Sequence, residues 1–274
     1  MLPKASIIIP CYNSGSFLPD AIESIKLCSN KNKYEVVIVN DGSTDLETLE
    51  LLDKLAAEGY TVLHQENQGP AAARNTGVKY AKSKYIFFLD SDNKVRPDYI
   101  EKGIKILEDN PDTGIVYGNP SFFGDSLEAR FCPYEFNLDK LLLENYIDMC
   151  SLIRKRVWEE VGGLDENHII IGHEDWDFWI RAATAGWKFY YINETLYDYR
   201  IRNNSLVMGA VQNESHQQML SYFYGKHYRL LIEVNRQLQR ECDFMKGQIA
   251  FYEHDKAKPF RSFLKYSYNK FIKK

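Results

Sequence analysis

The run Tyr85-Ile86-Phe87-Phe88-Leu89 has no polar face, and it ends on Asp90-Ser91-Asp92. Consecutive large apolar residues suit a strand covered on both sides, as in a parallel α/β sheet, better than a half-exposed antiparallel one. The carboxyl ends of such strands are where α/β proteins hold ligands. Two carboxylates one residue apart are hard oxygen donors that can share Mg2+ or Mn2+ with a substrate phosphate. A lone Asp-x-Asp is equally an ordinary polar turn, so its neighbours decide its meaning.

Those neighbours follow a βα alternation, which favours βαβ units with right-handed crossovers. Strand patterns lie at residues 5–10, 34–39 and 61–63, separated by helical spacings through Leu18, Ile22 and Ile25 and through Leu49, Leu52 and Leu55. Ser43-Thr44-Asp45 can cap the second helix, and Gly69-Pro70 opens a third over 71–81 that leads into the Asp-x-Asp strand. A helix over 98–107 and a strand at 114–118 follow. The second half is less regular: a turn at Gly162-Gly163-Leu164-Asp165-Glu166, a helix over 174–185 and short strands at 188–192 and 196–200.

Composition removes several classes. With 274 residues, 45% hydrophobic, the chain can bury one large core or two small ones. A net charge of -4 gives no basis for nucleic-acid binding, and no nucleic-acid partner is expected. The 5 cysteines are odd in number and scattered, so neither a disulfide framework nor a zinc site is indicated. No apolar stretch approaches the roughly 20 residues that span a bilayer. A cytoplasmic protein, peripheral at most on the inner face of the membrane, is expected.

Other polar clusters fall where a parallel sheet would place them beside Asp90 and Asp92. Pro10-Cys11-Tyr12-Asn13 ends the first strand, Asn40-Asp41-Gly42-Ser43 the second, and Gly69 to Asn75 begins the third helix with Arg74 on its second turn. Tyr12 can stack on a base, Asp41 can accept from a ring N–H, and Arg74 can pair with a carbonyl or phosphate. Together these are a nucleotide-shaped set of partners.

In this order the motifs resemble the inverting nucleotide-sugar glycosyltransferases of family 2. The matching segments are Ser6 through Asn13, Val39 through Asp45, Gly69 through Gly77, Phe88 through Asp92, Gly163 through Glu166, and Glu174-Asp175-Trp176-Asp177. The resemblance covers roughly residues 4 to 205. It implies the GT-A fold: a mostly parallel central sheet flanked by helices, with a Rossmann-like nucleotide-binding half. Residues 1–212 would form that domain, 1–118 the nucleotide-sugar half and 119–212 the acceptor half, with 213–274 a C-terminal helical extension.

The resemblance further implies that Tyr12 and Asp41 contact the nucleobase, that Arg74 lies beside uracil, and that the Asp-x-Asp pair handles sugar, ribose and metal. Pro10 and Ser91 count on the donor side. Asp92 is the expected ligand for Mn2+ or Mg2+, Asp90 the expected partner of the donor's sugar or ribose, and Asp175 the expected catalytic base. Glu174 is the alternative base or an acceptor contact, and Trp176 an acceptor contact if not core. Arg200 and Arg202 are expected to clamp the donor diphosphate. The chain departs from the family pattern at Asn40 and Asn93, where Asp is common, and at Arg202, where His is common.

The expected reaction moves a sugar from a nucleotide-sugar, UDP-linked, to a glycan or lipid-linked acceptor, in cell-surface polysaccharide synthesis. Lacking a Gln-x-x-Arg-Trp segment, the sequence points to single additions. Two rivals stand beside this reading. Leu89 through Val95 also resembles the loop of haloacid-dehalogenase-like phosphatases, with Asp90 as nucleophile, but there it follows the first strand. The second is a non-catalytic carbohydrate-binding relative, which would be expected to have lost its base or metal carboxylate. From residue 256 onward, seven basic residues and no acidic one accompany Phe260, Phe263, Leu264 and Phe271. That tail is a candidate surface for anionic lipid, and the C-terminal helices are a candidate homodimer contact.

Overall fold

A computed structural model describes residues 2–203 and 214–272, with side chains for all of these except 32, 214–215 and 249–272. Strands β1 (Ala5–Cys11), β2 (Tyr34–Asp41), β3 (Thr61–Gln65) and β4 (Tyr85–Phe88) run parallel. Helices α1 (Leu18–Lys26), α2 (Leu46–Ala57) and α3 (Pro70–Tyr80) make the crossovers. The register, Ala5 beside Tyr34 through Cys11 beside Asn40, and Ile8 beside Phe88, brings three carboxyl ends to one edge. Tyr12, Asp41 and Asp90 therefore start from neighbouring positions.

Local chemistry fixes these connections. Asp45 caps α2 by accepting from the Thr48 amide at 2.8 Å. Asn13 Oδ1 accepts from the Thr44 amide at 2.8 Å, and the Asn13 amide donates to Ser43 Oγ at 3.0 Å, so the first two strand-end loops are laced together. Gly69 takes φ +90° before Pro70, and α3 lies so close to β1 that a Cβ on Gly77 would overlap Ile8. The small residues of α3 set the distance at which Arg74 reaches over the sheet.

The second half adds β5 (Lys94–Val95), α4 (Tyr99–Asp109), β6 (Thr113–Gly124), α5 (Leu138–Leu141), β7 (Leu152–Arg154), α6 (Lys155–Val161), α7 (Glu174–Thr184) and β8 (Lys188–Ile201). The sheet order is β3-β2-β1-β4-β7-β6-β8-β5. Here the sequence expectation changes: β7 enters antiparallel between β4 and β6, and β5 pairs antiparallel with β8, while β6 and β8 run parallel. The two strands expected at 188–192 and 196–200 are one strand, which follows β6 through register shifts around Asn119 and Pro120. Pro120 has no N–H to give to a ladder, so the pairing breaks step there and resumes. The core is centred on Ile7, Ile9, Phe87, Tyr99, Leu152 and Tyr197. Within it the Tyr99 hydroxyl donates to the Cys150 carbonyl at 3.0 Å.

The chain divides into two compact units, Met1–Phe223 and Tyr224–Lys274. Helix α8 (Glu214–Ile272) begins in the first, where Phe223 packs on Trp176 with ring centroids 4.0 Å apart and Tyr222 donates to Asp165 Oδ2 at 2.8 Å. Pro259, expected to start a separate tail, lies within this continuous helix. The side chains of the basic aromatic run at 256–272 lie outside the described residues. Among the described residues no helix is long and apolar enough to cross a membrane.

Candidate active site

The end of β4 and the start of α7 meet across Arg74. Its guanidinium donates to Asp90 Oδ1 at 2.6 Å and to Glu174 Oε1 at 2.7 Å, and it is only 5% exposed. From the sequence, Arg74 is expected to meet a ligand carbonyl or phosphate. The structure gives it two carboxylates, because α3 carries it inward between two acidic segments that each need a counter-charge. Glu174 is equally occupied, since Oε2 accepts from the Gly172 amide at 2.6 Å. It braces the α7 start.

Asp175, next along, points into a cavity of about 310 Å3 that it shares with Asn145, Asp148, Phe131, Tyr199, Arg200 and Arg202. Its carboxyl is held well above the usual range by burial, and by the neighbouring charges of Glu174 and Asp148. Asn145 Nδ2 donates to Asp175 Oδ2 at 3.0 Å. Asp148 is pushed up to about 7 by burial and by the charge of Asp90, against the Cys150 amide donating to its Oδ1 at 2.9 Å.

Arg202 Nε lies 2.8 Å from Asp92 Oδ2, a charge contact whose N–H is not aligned for a hydrogen bond. Arg200 is anchored: its Nε donates to the Asp92 carbonyl at 3.0 Å, its NH2 reaches Asp20, and its plane lies 4.3 Å over Phe123. Asn93 Oδ1 accepts from the Arg200 amide at 2.9 Å, which fastens the end of β8 to the Asp-x-Asp loop. Arg202 thus stands against the Asp92 carboxylate, while Arg200 is held by the Asp92 carbonyl and Asp20.

On the donor side, Tyr12 keeps an open ring face at 48% exposure beside the half-buried Pro10, whereas Asp41 is buried. Asp41 Oδ1 accepts from Gln65 Nε2 and the Gln68 amide at 2.8 and 2.9 Å, and Oδ2 from the Gly69 amide at 2.8 Å. A nucleobase N–H would have to share that carboxylate with the loop it organises. Ser91 is buried in the Asp-x-Asp turn. Trp176 belongs to the core: it is 5% exposed, its ring lies on Phe223 and its Nε1 donates to the Leu141 carbonyl. It has no face for an acceptor.

Among the described residues no three His, Cys, Asp or Glu side chains converge as a ready metal cage. The Asp-x-Asp pair nevertheless fits a cation shared with donor phosphates. Asp92 is pushed up to about 6 by burial and by the charge of Asp90, so even with Arg202 and Arg200 nearby and Arg74 paired to Asp90 its carboxylate is under-compensated, as that of a cation ligand would be.

Sequence reasoning missed Asn145, Asp148, Phe131 and Tyr199. The only signal for Asp148 is one carboxylate set in the otherwise buried stretch Tyr146 to Cys150. A larger cavity, about 540 Å3, opens at the other end of β4 beside Tyr85, Arg154 and Lys155. Its cations are paired: Arg154 Nε donates to the Thr113 carbonyl at 2.7 Å and Lys155 Nζ to that of Ala81 at 2.8 Å, while Lys84 Nζ lies 3.9 Å from Glu108 and Arg156 Nε donates to Glu160 at 2.6 Å.

The family model described as Glycosyl transferase family 2 matches residues 6–162, more than half of the 274. The chain belongs to glycosyl transferase family 2. A second model, Glycosyl transferase family group 2, matches residues 85–252. TuaG of Bacillus subtilis (strain 168), named for teichuronic acid biosynthesis, is 29% identical over 215 residues, 74% of this chain and 81% of that protein. Some relatives are far longer: the chain spans 26% of the Pasteurella multocida hyaluronan synthase. Staphylococcus aureus TarS, solved with UDP-GlcNAc, superposes with a TM-score of 0.62 at 18% identity, covering 82% of this chain and 73% of the other. A Pyrobaculum calidifontis mannosyltransferase, solved with GDP-Man and Mn2+, gives 0.63 at 18% identity, over 84% and 65%. The family 2 chain therefore has the GT-A architecture that its motifs suggested.

Proposed function

We propose that this family 2 enzyme is a metal-dependent, inverting hexosyltransferase that moves a sugar from a UDP-sugar to a glycan or lipid-linked acceptor in cell-surface polysaccharide synthesis. One observation carries the reading: Asp175, Arg200 and Arg202 line a single cavity, with the Asp90-Ser91-Asp92 turn against the two arginines. A base and a clamp for a charged leaving group are the two elements that this displacement needs. The names of TuaG and of the TarS complex support the polysaccharide setting and the UDP donor.

In the proposed step the acceptor hydroxyl oxygen attacks the anomeric carbon, and its proton passes to Asp175. The bond from that carbon to the diphosphate oxygen breaks on the opposite face, which inverts the centre. The raised proton affinity of Asp175 makes it a stronger base than an ordinary carboxylate. Arg200 and Arg202 meet the charge that develops on the leaving diphosphate. A divalent ion held by Asp92 and the donor phosphates would supply further electrostatic stabilisation there. Arg74 and Glu174 do not touch substrate in this scheme; they fix Asp90 and the α7 start. Tyr12 stacks on the base, and Asp41 shapes the pocket wall while sharing its carboxylate.

Incubation with UDP- and GDP-sugars and Mn2+, read by release of free nucleoside diphosphate, tests the reading. Release from a UDP-sugar is expected, with Asp175→Asn losing transfer while still binding UDP. Hydrolysis of a generic phosphate ester, with no turnover or binding of any nucleotide sugar, would overturn it.

A further inference from the structure

Helix α8 carries an apolar stripe that the reaction does not use. Beyond Phe223, residues recur at alternating steps of three and four: Tyr228, Leu231, Asn235, Leu238, Cys242 and Met245. The sequence keeps the step through Ile249 and Tyr252. This is a heptad seam, with Tyr228, Asn235 and Cys242 at a and Leu231, Leu238 and Met245 at d. Within the unit Tyr224–Lys274, Tyr228, Leu238 and Met245 are exposed by 50%, 48% and 55%. Seam residues this open on a solvent-facing helix call for a cover.

The polar residues on and beside the seam say what that cover is. Asn235 occupies an a position. In a parallel pair it meets its own copy, amide against amide, whereas in an antiparallel pair an a residue faces an apolar d residue and one amide is left unmatched. Glu241 sits at g and Lys246 at the following e, the offset that places opposite charges across a parallel, in-register seam. Within one helix these charges have loose partners: Glu241 accepts from Gln237 at 3.2 Å and Lys246 lies 3.8 Å from Asp243, both on the exposed side. Such exposed pairs contribute little and can be exchanged for the interchain pair.

We propose that the stretch 228–245 forms a parallel, two-stranded coiled coil with a second copy of this chain. The seam is short, so association is concentration-dependent. Cys242, an exposed free thiol, falls at a and would stand opposite its own copy.

The test uses the full chain. Light scattering from low to high micromolar protein should show the mass rising from 32.0 kDa towards twice that value. Leu238→Glu combined with Met245→Glu should remain monomeric, with an unchanged circular dichroism spectrum. In a Cys132→Ser background, which leaves Cys242 as the exposed thiol, a short bismaleimide should link the two copies through Cys242. A monomer at every concentration, a dimer that survives the double Glu variant, or a dimer not linked through Cys242 would each overturn the proposal. So would a monomer that sediments with phosphatidylglycerol vesicles and loses them on Leu238→Glu, since the stripe would then be a lipid surface.

Discussion

Asn145 donates its side-chain N–H to Asp175 Oδ2 at 3.0 Å, while its own Oδ1 is fixed by the Ile147 amide at 3.2 Å. The loop before β7 thereby aims the carboxylate that we assign as base. Asn145→Ala removes the aim and a donor to the charged form. It should lower kcat by about tenfold, the worth of one such hydrogen bond, with little change in acceptor KM. The ionised form loses its partner, so the pKa of Asp175 rises and the acidic limb of the rate profile moves to higher pH. An unchanged pH profile would reduce Asn145 to a packing residue.

Arg74 holds two acidic segments together: Asp90 at the β4 end and Glu174 on α7, the latter 100 residues further along the chain than the arginine itself. Arg74→Ala leaves Glu174 buried beside a single amide donor. The expected loss is about 3–5 kcal/mol, measured by urea unfolding. Arg74→Lys keeps the charge but cannot fork to both carboxylates, and should fall between. An Ala variant as stable as the parent chain would show that the bridge contributes nothing.

Arg202 Nε and Asp92 Oδ2 stand 2.8 Å apart at the rim of the cavity. In the proposed complex Arg202 turns to the diphosphate, and Arg202→Ala should weaken UDP binding by about tenfold in calorimetry, as for one charge-assisted contact. Chelation of divalent ions should weaken it further in the parent chain. Undiminished UDP affinity in the variant would remove Arg202 from the donor site.

What could be read from the sequence follows from period and position. Tyr12, Asp41, Arg74 and Asp90 are legible because each closes or opens an element with a clear repeat, and parallel strands gather such ends at one edge. Strand β7 is not, since Leu152 to Arg154 is too short to show an alternation, and the loop that carries Asn145 and Asp148 is hidden with it. The partners of Arg74 were equally invisible, because an ion pair across α3, β4 and α7 leaves no mark in local spacing. Trp176 was ambiguous for a related reason: helical spacing says that it shares a face with Trp179, but not that Phe223 of a much later helix covers it.

Asp148 offers a pH test whose sign is fixed by its surroundings. Burial and the charge of Asp90 push its carboxyl from 3.8 up to about 7. Between those values the folded chain binds the proton more tightly than the unfolded one, so stability is full below the lower value and falls as pH rises through the upper. Asp148→Asn cannot ionise and should be more stable than the parent at about pH 8, by on the order of 1–2 kcal/mol once partial solvent access is allowed for, with the gap closing near pH 4. The same change removes a negative neighbour from Asp175, lowering the pKa of the base, so the acidic limb of kcat/KM should move to lower pH. That displacement is opposite to the one expected of Asn145→Ala. Urea midpoints and rate profiles of both variants across this range check it, and a stability difference that does not vary with pH would show that Asp148 is not strained by its charge.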